Sequence, residues 1–168
     1  ALQRGFGVYK QVCSNCHGLR LLSYRDLRQV GFSAAQVAAV ASTVQVQDGP
    51  NDDGQMYERA GRASDRFKSP FANEKAARAA NNGALPPDLS VISKAREGGA
   101  NYIHALLTGY VDPPAGVTLM PGMNYNTYYP GHQIGMAAPL TSDGQVEYAD
   151  RTKPTVDQMA RDVASFLA

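Results

Sequence analysis

The chain has little of several features that mark common classes of protein. Its 168 residues include no tryptophan, three histidines and only two cysteines. No apolar run approaches the roughly 20 residues that a membrane-spanning helix needs. Sixteen basic side chains against fifteen acidic ones give a net charge of +1. The chain therefore lacks the strongly basic surface of a nucleic-acid-binding protein, and its length suits one domain around a single core.

Both cysteines belong to one motif, Cys-Ser-Asn-Cys-His at residues 13–17. Two thiols three residues apart lie on one side of a helical turn, where each can add to one vinyl group of the same porphyrin. A structural zinc site needs four ligands, and no second Cys or His pair stands at a suitable spacing. A thioredoxin-like dithiol needs a βαβ setting, whereas the flanking sequence here predicts helices. We therefore predict covalent c-type haem on Cys13 and Cys16, with His17 as an iron ligand.

Apolar residues at helical spacing, together with capping residues, predict a series of helices joined by loops, in a single domain over residues 1–168. Gly5 and Gly7 weaken the first helix but allow close packing against another helix. Ser33, Asn73, Asp88 and Thr155 are predicted N-caps. The helices are expected at 2–16, 24–30, 34–44, 74–82, 88–96, 102–108 and from 155 onward.

Two segments are expected to lack regular structure. Residues 48–71, the acidic segment, contain a run of turn residues, and Asp52 and Asp53 within it favour a solvated loop over a calcium site or a docking site for a basic partner. Residues 110–139 hold five prolines and several glycines and tyrosines. Structureless loops of this length are usually functional, so we expect an ordered loop here.

A haem iron with one histidine ligand needs a second ligand or keeps an open position. The 110–139 loop carries Met120, Met123 and Met136, of which Met136 is flanked by Ile-Gly and Ala-Ala-Pro. Such a setting leaves few conformations, as a weak thioether ligand requires. His104 and His132 are competing candidates. The residues alone thus favour a methionine of this loop and leave the other methionines and the two histidines open.

Longer stretches of the chain resemble the cytochrome c1 family, the haem subunits of ubiquinol–cytochrome c reductase, in its mitochondrial type. The resemblance covers essentially the whole chain, and its middle run is long and specific. The stretches that carry it are the haem motif with its lead-in Arg4-Gly5-Phe6-x-Val8-Tyr9, the run AARAANNGALPPDLS at 76–90, LLTGY at 106–110, and YPGxxIGMA at 129–137.

The resemblance implies a set of haem-site residues. Cys13 and Cys16 match the thioether positions, His17 the proximal ligand, Met136 the distal ligand, and Arg96 an arginine that pairs with a haem propionate. It also implies an all-α fold, a cytochrome c-type helical domain with long ordered loops around a covalently bound haem. Further positions match the family's haem pocket: Asn81, Ala84, Pro86, Pro87, Ile92, Tyr102 and Leu106.

The implied function is electron transfer without substrate chemistry. Family members take an electron from the Rieske iron–sulfur protein and pass it to a soluble cytochrome c, within a complex that includes cytochrome b. The acidic segment would attract a basic cytochrome c. An open-site enzyme such as a peroxidase, or a structural or sensing haem module, are the other haem classes considered.

The resemblance also bears on location. Family members work on the periplasmic side of a bacterial inner membrane or in the mitochondrial intermembrane space, anchored by a C-terminal helix that this sequence lacks. We therefore expect a trimmed or partial chain. The chain departs from its relatives at His132 and Gln133, where the family varies, and without further cysteines it cannot hold the disulfide-bonded insertion of some bacterial members.

Overall fold

Helices and two small sheets alternate along the chain in the computed structural model, which describes residues 1–168. None of the helices is both long and apolar enough to cross a membrane. The α-helices are α1 (Leu2–Gln11), α2 (Ala34–Ser42), α3 (Glu74–Ala80), α4 (Gly99–Thr108) and α5 (Val156–Phe166). Two 3-10 helices cover Cys13–Asn15 and Tyr24–Val30, and the strands are β1 (Gln45–Asp48), β2 (Tyr57–Ala60), β3 (Asn124–Tyr125) and β4 (Gln133–Ile134).

The prediction of an all-α fold is wrong. Helices cover about a third of the chain, and two antiparallel two-stranded sheets pair β1 with β2 and β3 with β4. The first sheet is a hairpin, because the turn-rich residues 49–54 bring Asp48 opposite Tyr57. The second sheet lies inside the 110–139 loop. The helical and loop arrangement nevertheless remains consistent with a cytochrome c-type domain.

A second correction concerns residues 88–96, which form turns rather than the predicted helix. The side chain of Asp88 accepts hydrogen bonds from the backbone N–H groups of Ser90, at 3.0 Å, and of Arg20, at 2.9 Å. A helical cap would bond only to its own first turn. Here the Asp88 carboxylate also binds the backbone of Arg20, 68 residues away in sequence. This long-range hydrogen bond outweighs the local preference for a helix.

The core is organised by the crossing of α1 and α5, where Gly5 lets the two backbones meet. A Cβ atom on Gly5 would lie 2.1 Å from the carbonyl oxygen of Asp162 and 2.6 Å from Cβ of Phe166. The close packing predicted for Gly5 is therefore confirmed. It does not extend to Gly7, where the only neighbour of such an atom would be the Gln11 side chain at 3.8 Å.

An ion pair accompanies this crossing. Arg4 Nε lies 2.7 Å from Oδ2 of Asp162, whose side chain is 1% exposed, and Arg4 Nη1 lies 2.7 Å from Asp150. Burial alone would raise the pKa of Asp162, but hydrogen bonds from Arg4 and neighbouring groups outweigh it and hold that pKa below its ordinary value. The pair therefore stays charged and links α1 to α5 beside the crossing.

The β1–β2 hairpin is tied to the chain that follows it by Arg59. The guanidinium of Arg59 pairs with Asp48 on β1 and, at 2.6 Å, with Asp65. Hydrogen bonds from Arg59 lower the pKa of Asp65 to about 2. Two acids of the acidic segment are thus already paired, whereas Asp52 and Asp53 at the hairpin tip make no ion pair.

Candidate haem-binding site

The end of α1 delivers the two cysteines on a single 3-10 turn. The backbone N–H groups of Cys16 and His17 donate to the carbonyl oxygen of Cys13 at 3.1 and 2.9 Å. Both thiols are free and half-buried. Burial raises the pKa of Cys13 to about 12, so that thiol is protonated at neutral pH before any attachment.

The imidazole of His17 is held by a carbonyl from the other side of the chain. Its Nδ1 lies 2.7 Å from the oxygen of Pro87, and because a carbonyl only accepts hydrogen bonds, Nδ1 carries the proton. Burial lowers the pKa of His17, which favours the neutral ring. Nε2 is therefore left with a free lone pair, which is the arrangement that metal-bound histidines show.

The backbone around His17 is fixed by two further contacts. The hydroxyl of Tyr9 on α1 donates to the carbonyl oxygen of His17 at 3.0 Å. The N–H of Leu89 donates to the carbonyl oxygen of Gly18 at 2.9 Å. A Cβ on Gly18 would lie 2.9 Å from Asp88 Oδ2, so a larger residue would push against the carboxylate that bonds to Arg20 and Ser90. The turn after the cysteines is thus attached to the run at 84–90.

The same run also reaches the segment that carries Met136. A Cβ on Gly135 would lie 3.2 Å from Cβ of Ala84, which places these two backbones in close contact. Met136 follows directly, half-buried, and its carbonyl oxygen accepts a hydrogen bond from the hydroxyl of Tyr110 at 3.0 Å. Residues 84–87 therefore contact the His17 side at one end and the Met136 side at the other.

The competing iron ligands are placed differently. His104 Nε2 lies 2.8 Å from a carboxylate oxygen of Asp157, and Nδ1 of His132 lies 3.2 Å from the carbonyl oxygen of Asn126. The His132 ring stacks on Tyr125 with centroids 5.5 Å apart. Met120 is 56% exposed and Met123 is half-buried, with its sulfur 3.9 Å from the Cβ position of Gly135. Among these groups, only Met123 is placed beside Gly135, the residue that precedes Met136.

Arg96 lies just before α4, the helix that carries Tyr102. The positive charge of Arg96 acts on the hydroxyl of Tyr102, whose pKa is nevertheless raised because burial outweighs that charge. Arg96 is exposed, donates to the neighbouring carbonyl of Ala95 at 2.9 Å and makes no salt bridge. Its guanidinium is therefore available to an anionic group.

The other predicted pocket residues differ in how deeply they are buried. Asn81 donates from its side chain to the carbonyl of Ala77 at 2.7 Å and so closes α3 rather than pointing to a free partner. Ile92 is buried in the main core, and Leu106 is half-buried on α4. Pro86 is half-buried, while Ala84 and Pro87 are exposed.

These donor groups fit a c-type haem. Two free thiols share one turn, an imidazole presents an unprotonated nitrogen, and a thioether lies on a segment in contact with the same short run. These are the four side chains that the sequence predicted for the haem. Sequence reasoning missed the hydroxyls of Tyr9 and Tyr110, which bond to the carbonyls of His17 and Met136, because nothing local to either tyrosine signals the contact.

Comparison with known proteins agrees with the resemblance seen in the sequence. The model of the Cytochrome C1 family matches residues 1–168. Cytochrome c1-2, a heme protein of Solanum tuberosum mitochondria, is 53% identical over 167 residues, which are 99% of this chain and 64% of that protein. A Candida albicans protein named as the mitochondrial cytochrome b-c1 complex catalytic subunit is 49% identical over 99% of this chain and 58% of its own length.

A bacterial relative extends the comparison. The cytochrome b/c1 protein of Bradyrhizobium diazoefficiens is 50% identical over 99% of this chain, which is 27% of that protein. The chain thus spans less than two thirds of these relatives. Since the family model matches every residue from 1 to 168, the chain belongs to the cytochrome c1 family.

Proposed function

We propose that the chain holds one haem c, attached through Cys13 and Cys16, with His17 and Met136 as axial ligands, and that it carries single electrons. The hydrogen bond between His17 Nδ1 and the oxygen of Pro87 is the observation that carries the proposal, because it leaves Nε2 free for iron. The haem would supply the redox chemistry, as its iron alternates between the ferric and ferrous states.

The surrounding residues would decide which chemistry this haem performs. With His17 and Met136 both binding the iron, no coordination position would remain open, which would suit an electron carrier better than a peroxidase, whose iron must stay open. The thioether of Met136 would raise the reduction potential. Arg96, free of other ion pairs, would bind a propionate through its planar fork. The remaining pocket positions would be those that match the family: Asn81, Ala84, Pro86, Pro87, Ile92, Tyr102 and Leu106.

The family suggests the partners and the setting. The electron would come from a Rieske iron–sulfur protein and leave to a soluble cytochrome c, next to cytochrome b in a quinol–cytochrome c reductase. The name of the Candida relative, a cytochrome b-c1 complex subunit, supports membership of such a complex next to cytochrome b. The site would face the mitochondrial intermembrane space or a bacterial periplasm, on a chain anchored in the membrane by a C-terminal helix. Residues 1–168 would form one cytochrome c-type domain.

Haem attachment provides the first test. After expression with the haem-attachment machinery, acid–acetone should leave the haem on the protein, because thioether bonds survive that treatment. The ferric protein should show the long-wavelength absorption band of thioether-ligated iron. Cys16→Ala, with Cys13 intact, should retain at most one thioether bond and shift the pyridine haemochrome spectrum. Extraction of all haem from the unaltered protein would refute covalent attachment.

Docking of a basic cytochrome c gives a further prediction. Asp52 and Asp53 lie exposed at the tip of the β1–β2 hairpin, whereas Asp48 is paired with Arg59. The double variant Asp52→Asn, Asp53→Asn should slow second-order oxidation by cytochrome c by about threefold at 0.01 M salt, since attraction steers the encounter. The difference should shrink at 0.15 M salt, where the Debye length falls from about 30 to about 8 Å.

The matched control removes the same charge elsewhere. Glu74 and Glu147 are exposed and make no ion pair, so Glu74→Gln with Glu147→Gln changes the net charge equally. Comparable slowing in both double variants would assign the effect to overall charge. Equal rates for the hairpin variant and the unaltered protein at low salt would exclude the hairpin tip from docking.

A further inference from the structure

The 110–139 loop is fixed at its middle by Asn126. The side chain of Asn126 is fully buried, donates from Nδ2 to the carbonyl of Leu106 on α4 at 2.8 Å, and accepts from the N–H of Tyr128 at 2.9 Å. Its backbone N–H donates to the carbonyl of His132 at 3.0 Å. One side chain therefore ties α4 to the turn that leads into β4 and Met136.

Asn126 also fixes the position of Tyr110. The two residues form an antiparallel β-bridge, and the neighbouring N–H of Thr127 donates to the carbonyl of Gly109 at 2.9 Å. A Cβ on Gly109 would lie 2.6 Å from the ring of Tyr128 and 3.0 Å from Asn126 Oδ1, so glycine is needed for this approach. The backbone that carries Tyr110 is thus held between α4 and the loop.

The hydroxyl of Tyr110, on the backbone held in this way, contacts Met136. It donates to the carbonyl oxygen of Met136 at 3.0 Å, a contact between residues 26 positions apart. β3 and β4 hold the backbone just before Met136, through the pairing of Asn124 with Ile134. The Tyr110 hydroxyl thus provides a side-chain hydrogen bond to the backbone of Met136 itself.

We propose that Tyr110, braced by Asn126, is a positioning residue that holds the Met136 thioether at the haem iron. The proposal rests on the proposed function, in which Met136 is the distal ligand. Thioether sulfur is a weak ligand for ferric iron, so its occupancy depends on how well the protein orients it. His17 does not depend on one contact in this way, because it follows a covalently attached cysteine and bonds to Pro87.

Competition with an added ligand tests this directly in the haem-loaded protein. Imidazole must displace Met136 from the ferric iron, so any weakening of the internal bond raises the apparent imidazole affinity by the same factor. Tyr110→Phe removes the hydroxyl and keeps the ring. We expect imidazole to bind about fivefold more tightly, the factor that one ordinary hydrogen bond provides. The reduction potential should fall and the thioether band should weaken.

Tyr148→Phe is the matched control. The hydroxyl of Tyr148 is buried beside Asp162, and its ring lies against Arg4, whose guanidinium carbon is 5.6 Å from the ring centroid. This variant removes a buried phenolic oxygen that makes no hydrogen bond to Met136 or to the 110–139 loop. It should bind imidazole as the unaltered protein does, which separates loss of a buried hydroxyl in general from loss of this contact.

Met136→Leu completes the set and separates the two levels of the proposal. It should bind imidazole most tightly of all, because no internal ligand competes. If Met136→Leu behaves so but Tyr110→Phe titrates like the unaltered protein, Tyr110 has no positioning role and the proposed function stands. If Met136→Leu itself leaves the imidazole affinity and the thioether band unchanged, Met136 is not the ligand and both proposals fail.

Discussion

Replacing Met136 with leucine should leave the haem covalently bound and open its sixth coordination position. Leucine fills similar space but offers no sulfur, so the ferrous iron should bind carbon monoxide readily. Because thioether ligation favours ferrous iron, the reduction potential should fall by on the order of 0.1 V, part of the roughly 0.8 V range that axial ligands span. Redox titration and carbon monoxide binding measure the two effects.

The control is the same substitution at Met123, which lies in the same loop and near the same glycine, Gly135. Met123→Leu should keep the potential, the thioether band and the resistance to carbon monoxide. The reverse pattern, with Met123→Leu losing the band and Met136→Leu keeping it, would transfer the ligand role to Met123. Retention of the band in both variants would point to Met120.

A substitution at Gly5 should have the largest effect on stability. A Cβ there would lie 2.1 Å from the carbonyl oxygen of Asp162, and neither backbone can move away without separating α1 from α5. Overpacking of this kind costs about 1–3 kcal/mol or more, and a contact with backbone falls at the upper end. Gly5→Ala should therefore lower the melting temperature of the haem-loaded protein by about 6–12 °C.

Gly7→Ala, two residues along the same helix, should instead increase the stability of the protein. Its Cβ would have open space, with the Gln11 side chain 3.8 Å distant. Alanine restricts the unfolded chain and suits a helix better than glycine, so this variant should gain about 0.5–1 kcal/mol. Thermal unfolding of the two variants side by side decides the matter. Destabilisation of equal size in both would mean that glycine flexibility, rather than space at the crossing, is needed in α1.

The parts of the fold that could be predicted are those set by neighbouring residues. The side chains of Ser33, Asn73 and Thr155 accept hydrogen bonds from the backbone N–H three residues later, as capping sequences predict. The hairpin at 45–60 was missed because its strands are four residues long and its pairing joins positions up to 15 residues apart. Short strands of this kind carry too few alternating positions to stand out from a loop.

For the candidate site, the sequence predicts which side chains would bind the haem but not which contacts orient them. Cys13, Cys16 and His17 lie within five consecutive residues, so their spacing alone predicts haem attachment. The carbonyl of Pro87 that sets the His17 tautomer is 70 residues away, and a backbone oxygen leaves no mark on residue type. The same holds for Tyr110 and Met136, whose contact depends on the course of a whole loop.

The run from Ala84 to Pro87 would bear on the speed of the proposed electron exchange. It contacts Gly135 at one end and His17 at the other, and its two prolines have fixed φ angles. A frame with so few free rotations resists rearrangement when the charge at its centre changes. The oxidised and reduced forms would then share nearly one geometry, and little nuclear motion would have to precede each transfer, in either direction.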